Sequence, residues 1–197
     1  MNVVITTLFT KHPDPQSGRT WDADHSSLSV LPSIAEHGWH TVVINDCLDL
    51  PNTADVTYHR VDNDIPNAYW ARWWWAGDWL AKHPADFVWC VDANDVIMLN
   101  DPAPHMRLGE LYIGSEPVEG PNARTVGFWW MRQLHPDSAH WIGEHADEQL
   151  LNCGLVGGDR VTVWAFACRL ALARNNDTTD MAAANIIARG RSHTTGY

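Results

Sequence analysis

Apolar residues along this chain gather in short unbroken runs, separated by longer segments with helical spacing. Residues 2–9 (NVVITTLF) are β-branched and apolar without polar alternation, the pattern of a strand buried on both faces. Similar runs predict strands at 40–45, 55–61, 87–91, 110–114 and 151–156, with 96–99 as a short continuation of the fourth. Between them, Ser26 or Ser27 is placed to cap a helix ending near Gly38, where glycine suits a left-handed C-terminal position. Pro66 fits the first turn of a long helix reaching about residue 83. Asp159 caps a predicted helix to about 173, and Asp177 another to about 189. Residues 116–145, with Pro117, Pro121 and Pro136, resist assignment and are expected to form a flap over a site. Strand and helix alternation of this kind predicts an α/β sheet flanked by helices.

At 197 residues, with no repeat or linker, the chain is expected to fold as one domain with a substantial core. Acidic residues outnumber basic ones by 24 to 13, a net charge of −11. That balance argues against a nucleic-acid partner. It also means that an anionic small ligand needs a cation, whether a local arginine or a metal. No apolar run is long enough to span a bilayer. The start lacks the basic residues and cleavage site of a signal peptide. Cys47, Cys90, Cys153 and Cys168 show no CxxC spacing and read as free thiols. Together these features lead us to expect a cytoplasmic protein.

The sharpest local feature is FVWCVDANDVIML, residues 87–99, in which an apolar strand stops at Asp92-Ala93-Asn94-Asp95 and apolar sequence then resumes. In open α/β sheets ligands collect beyond the carboxyl ends of strands. Carboxylates placed there repel each other unless a cation or hydrogen bonds compensate. Hard oxygen ligands suit Mg²⁺ or Mn²⁺, with positions left for diphosphate oxygens. The competing reading is an Asx-rich turn between two hairpin strands.

At these residues the sequence resembles the GT-A glycosyltransferases, whose Asp-x-Asp metal motif follows an apolar strand. Here the spacing is Asp-x-x-Asp, followed by Asp101-Pro102, a variant similar to that of the collagen-type enzymes. The resemblance implies a single GT-A domain: a Rossmann-like mixed sheet flanked by helices, residues 1–99 binding nucleotide and 100–197 facing sugar and acceptor. It implies that Asp92 and Asp95 hold Mn²⁺ or Mg²⁺ against a nucleoside-diphosphate-sugar, a UDP-sugar above all. LNCGLVGG, residues 151–158, looks like the strand bordering the donor sugar, with Asn152 and Gly154 at the ligand. Glycine there permits close approach to backbone, although a buried strand with a glycine bulge would read the same way. Asp180, in DTTDM, is similar to an acidic residue near the acceptor and would orient or deprotonate its hydroxyl; a plain helix start from Asp177 competes. Thr6, Thr7 and Asp46 would lie near base and ribose. Arg72 matches a basic residue that contacts the diphosphate, with a solvated helix face as the alternative. Relatives often carry a metal-binding histidine in a C-terminal segment, for which His193 is the candidate although its surroundings match poorly. The acceptor would be a glycan, a protein or a small molecule.

Twelve tryptophans invite a carbohydrate-binding reading. Five of them (Trp70, Trp73, Trp74, Trp75 and Trp79) fall on one predicted helix at spacings that suit a core or a homo-oligomer interface better than a ligand platform. Trp129 and Trp130, in the flap, are better placed to meet an acceptor. HWIGEH, residues 140–145, has the wrong spacing for a zinc hydrolase, and no phosphate loop, dinucleotide fingerprint or nucleophile elbow is present. Two further functions compete with glycosyl transfer. A nucleotidyltransferase of related fold lacks its glycine- and lysine-rich loop here, and a non-catalytic, tryptophan-rich glycan-binding module would bind without metal.

Overall fold

The computed structural model describes residues 1–15, 18–20, 28–94, 96–117, 119–120, 123–175 and 178–192. Six strands form one mixed sheet: β1 (Val3–Leu8), β2 (His40–Asn45), β3 (Val56–Arg60), β4 (Phe87–Val91), β5 (Leu111–Ser115) and β6 (Leu151–Asp159). Their order is β3-β2-β1-β4-β6-β5. The first four are parallel, β6 runs antiparallel to β4, and β5 antiparallel to β6. The order therefore grows outward from β1 in one direction and jumps to β4 in the other, which makes the gap between β1 and β4 a topological switch point.

The unbroken apolar runs of β1, β2 and β4 follow from burial on both faces. On one face lie α2 (Ala68–Lys82), α5 (Arg160–Leu172) and α6 (Met181–Ser192). They cover Val3, Ile5, Val42, Ile44 and Val88 with Trp70, Trp73, Trp79, Phe166 and Leu170. On the other face α1 (Leu31–Ala35) sets Leu31 and Ile34 against Val4, Leu8 and Val43. The tryptophans of α2 divide accordingly: Trp70, Trp73 and Trp79 are core, Trp75 is half-buried, and Trp74 is 50% exposed. Trp74 thus does not share the buried face of Trp70 and Trp73.

Most predicted elements recur in place, and the differences have local causes. Helix α2 starts after Pro66, because Asn67 is its cap and accepts from the Tyr69 N–H at 3.1 Å. Helix α1 starts only at Leu31, while Ser26 and Ser27 lie outside the described residues. It ends as expected, with Gly38 at φ +70°. Asp159 caps α5 through the Val161 and Thr162 N–H groups. Residues 96–99 are not a strand. There the chain has left the sheet, Met98 N–H is bound by Ser33 Oγ at 3.1 Å, and Ile97 and Leu99 face outward.

The unassigned segment holds α3 (Trp129–Leu134) and α4 (Ala139–Glu144). Its Val126, Met131 and Ile142 make a small core of their own with Leu150 and Ala182. It stands beside the sheet as a folded wall.

Candidate functional site

A cavity of about 540 Å³ opens at the switch point, beyond the carboxyl ends of β1 and β4. Thr7, Leu8 and Phe9 reach it from β1, and Asp92, Ala93 and Asn94 from the turn after β4. Tyr69 and Arg72 enter from α2, Asn152 and Gly154 from β6, Thr179 and Asp180 from the start of α6, and Trp130 from the wall segment.

The turn after β4 is aimed by β6. Asp92 N–H bonds the Gly154 carbonyl at 2.9 Å, adding one more rung to the β4–β6 pairing. On its other edge β6 steps from pairing Val156 with Ile113 to pairing Asn152 with Gly114, so that residues 153–155 bulge. The Asn152 carboxamide bridges that bulge, accepting from Gly154 N–H at 2.8 Å and donating to Glu116 at 2.9 Å. A Cβ at Gly154 would lie 2.3 Å from Asp92 Oδ2 and 3.0 Å from Asn152 Oδ1, so a side chain there would push the Asp92 carboxylate from its place. The glycine and the bulge are therefore one feature, shaped around the Asp92 carboxylate.

At the floor of the cavity Arg72 links two carboxylates. Its Nη1 donates to Asp92 Oδ1 at 2.7 Å, while Nε (2.9 Å) and Nη2 both donate to Asp180 Oδ2. A further Nη2 donation reaches Cys153 Sγ at 3.1 Å. The same Asp180 oxygen also accepts from the Trp73 indole N–H. Burial alone would lower the pKa of the guanidinium, but the negative charge of Asp180, and then that of Asp92, raises it above its ordinary value. Arg72 is thus a permanent cation between its partners. Burial, followed by the charge of Asp180, pushes the Cys153 thiol well above its usual range, which makes it an inert neighbour and not a nucleophile.

On the β1 side, Tyr69 Oη donates to Asp14 Oδ2 at 2.8 Å, and Asp14 is itself buried. Burial and then this bond raise the Tyr69 phenol pKa, so it stays a neutral donor. Asp180 is held in place from behind. Its carbonyl takes the first helical bond of α6 from Ala184 N–H at 2.8 Å, and the preceding Thr179 Oγ1 meets His135 Nε2 at 3.0 Å. Its carboxylate is spent on Arg72 and Trp73 and does not serve the helix end.

Of the residues singled out in the sequence, Thr7, Arg72, Asp92, Asn152, Gly154 and Asp180 line this one cavity. Thr6 and Asp46 do not. Thr6 is buried in β1, and Asp46 ties down the loop after β1 by accepting from Thr10 N–H at 2.8 Å and Lys11 N–H at 3.2 Å. Asp95, Asp177 and His193 lie outside the described residues. Trp130 lines the cavity, whereas Trp129 is turned to solvent. Sequence reasoning missed Asp14 and Tyr69, which lie 55 positions apart, and set Cys153 aside as a bland thiol. No local motif marks any of the three.

Among the described residues, no group of three or more His, Cys, Asp or Glu side chains comes together as an ion site. No described helix is long and apolar enough to cross a membrane. Compared with protein-family models and with curated proteins, the chain matches none.

Proposed function

We propose that this chain is a GT-A-type glycosyltransferase, moving a sugar from a nucleoside-diphosphate-sugar, a UDP-sugar above all, to an acceptor hydroxyl. The observation that carries this reading is the place of the Asp92 carboxylate. It stands at the switch point of the sheet, in a large polar cavity, with β6 bulged and stripped of a side chain at Gly154 to accommodate it.

The residues present fit one mode of divalent-ion binding. Asp92 Oδ1 is committed to Arg72, but Oδ2 makes no such bond and the side chain is 40% exposed. One or two carboxylates completed by substrate phosphates is how Mg²⁺ is commonly held, in contrast to an all-protein cage. Asp92 Oδ2 would be one ligand, with Asp95 as the sequence's candidate for another. A bound ion would neutralise charge developing on the leaving nucleoside diphosphate.

The chain's own residues would position the reactants. Arg72 holds Asp92 in one orientation, and Asp180 with Trp73 holds Arg72, so the carboxylate needs little reorganisation when a ligand arrives. Asp180 is therefore best read as a positioning residue: it is almost fully buried, and one of its oxygens already takes three hydrogen bonds. Asn152 offers polar atoms to sugar hydroxyls, and Trp130 offers a ring face.

Thermal shift and product analysis test the proposal. A UDP-sugar with Mn²⁺ should raise the melting temperature of the wild type, and the gain should vanish with chelator or in Asp92→Asn. Turnover should then release nucleoside diphosphate. Release of pyrophosphate in a parallel reaction supplied with a nucleoside triphosphate and a sugar phosphate would favour nucleotidyl transfer, and metal-independent glycan binding without turnover would favour a binding module. A wild type indifferent to every metal–nucleotide-sugar pair would end the enzymatic reading.

A further inference from the structure

We propose that the outward face of α2 and α5 docks on an anionic lipid surface, holding the protein at a membrane without crossing it. The proposal is independent of the chemistry in the cavity. It comes from two features of one face, its apolar exposure and the sign of its charge.

The two helices lie side by side and run in opposite directions. The first turn of α2 is bound to the segment after α5, Trp70 Nε1 donating to the Thr178 carbonyl at 2.7 Å. The end of α2 meets the start of α5, where Arg160 Nη1 donates to the Leu80 carbonyl at 2.6 Å. They touch at Gly77, where a Cβ would lie 3.7 Å from Ala167 Cβ and 3.8 Å from Cys168 Sγ. Residues three or four apart share a helix face, so Trp74 and Ala81 flank Gly77 on α2, while Val161, Trp164 and Leu172 fall in line with Cys168 on α5. A surface helix normally turns polar residues to such positions. Here Val161 is 58% exposed and Leu172 87%, with Trp74 and Trp164 open to solvent beside them. An apolar stripe of this kind marks an interaction surface.

Charge selects the partner. Helices α2, α5 and α6 together hold six of the chain's 13 basic residues and one of its 24 acidic residues, in a protein of net charge −11. Residues 160–174 include three arginines and no acid, and Arg169 and Arg174 are exposed. Asp78 on α2 is matched by Lys82 at 2.7 Å, Asp86 by the amino terminus, and Asp159 is buried as the cap of α5. Fields between exposed charges fade over about 10 Å at ordinary salt, so an approaching surface meets the local positive sign and not the distant acids. A second copy of this face would set arginine against arginine. An anionic bilayer supplies negative headgroups for Arg169 and Arg174, together with the interfacial zone in which tryptophan is favoured.

The experiment is co-sedimentation of the full chain with vesicles of phosphatidylcholine alone and of an equimolar mixture with phosphatidylglycerol. The chain should bind the mixed vesicles, less so at raised salt. Arg169→Glu combined with Arg174→Glu should weaken binding by about 25-fold or more, at about fivefold for each basic residue. Trp164→Ala should weaken it too. Arg107→Glu should leave it unchanged, because Arg107 is exposed beside Met106, whose side chain packs on the other face of the sheet. These variants change exposed side chains, and their melting temperatures should stay close to that of the wild type. Failure to bind the mixed vesicles overturns the proposal. Equal binding to neutral vesicles overturns it, as does binding that the paired arginine variant leaves unchanged. A dimer in sedimentation equilibrium that Trp164→Ala breaks, without vesicle binding, assigns the face to a second copy and overturns it as well.

Discussion

Two carboxylates grip the same guanidinium from opposite sides, and they live in different surroundings. The Asp180 side chain is 2% exposed, wedged between α2 and α6, and shares its Oδ2 with the Trp73 indole. The Asp92 side chain is 40% exposed at the mouth of the cavity and keeps an oxygen free of Arg72. The first pair is part of the core and the second faces the cavity. A buried charge left without its partner is costly, whereas an exposed ion pair contributes little to stability because water and salt screen it. One arginine thus anchors on the deep side and presents a carboxylate on the shallow side.

The sharpest break in this comparison is Asp180→Asn. It leaves Arg72 charged in a buried site, and unfolding free energy should drop by about 3–5 kcal/mol in chemical denaturation. A loss under 1 kcal/mol would mean that the deep arm is no anchor. Next in size, Gly154→Ala drives a methyl against Asp92 Oδ2 and should cost about 1 kcal/mol, because the group that gives way is a partly exposed side chain. It should also abolish any metal–nucleotide stabilisation, since Asp92 must turn away. Retained nucleotide binding in this variant would show that the bulge is packing alone.

Acid should act on the deep side too. Burial lowers the pKa of His135, the partner of Thr179 beside Asp180, below the ordinary 6.5. The folded state then resists protonation more than the unfolded chain does. Its contribution is complete above the unfolded pKa and lost as pH falls through the depressed folded value. His59, lowered first by burial and then by His83, has the same sign. Stability should thus decline from pH 7.5 to 5.5 by on the order of 1 kcal/mol. His135→Gln should flatten part of that slope in pH-dependent melting, and an identical slope would reject the assignment. The smallest expected change is in Asp92→Asn, about 0–1 kcal/mol of stability. The same variant should lose metal-dependent donor binding, which is what separates a functional carboxylate from a structural one.

The N-terminal half of the sheet was the easiest part to read from sequence. Val42 to Ile44 and Val88 to Cys90 are apolar on consecutive residues because helices cover both faces, and such a run leaves few alternatives to a buried strand. The 116–145 segment was opaque for the opposite reason: its core needs Leu150 and Ala182, which lie beyond it in the chain. In the site, Asp92 and Gly154 each carried a visible signal, whereas the contact between them did not. The glycine reads as a bulge or as a ligand approach, and the fold makes it a bulge around a carboxylate.

What the sequence determined by itself is the alternation of strands and helices, the acidic turn ending the fourth strand, and the need of an acidic protein for a local cation if it is to hold an anion. Those follow from periodicity and composition, which act over a few neighbouring residues. Only the tertiary structure decided where the cations go. It spends Arg72 on two carboxylates 20 and 108 positions away, places Asp14 under Tyr69, and removes Asp46 to a loop anchor. Charge pairing depends on distance in space, and the sheet order, not the sequence spacing, sets that distance.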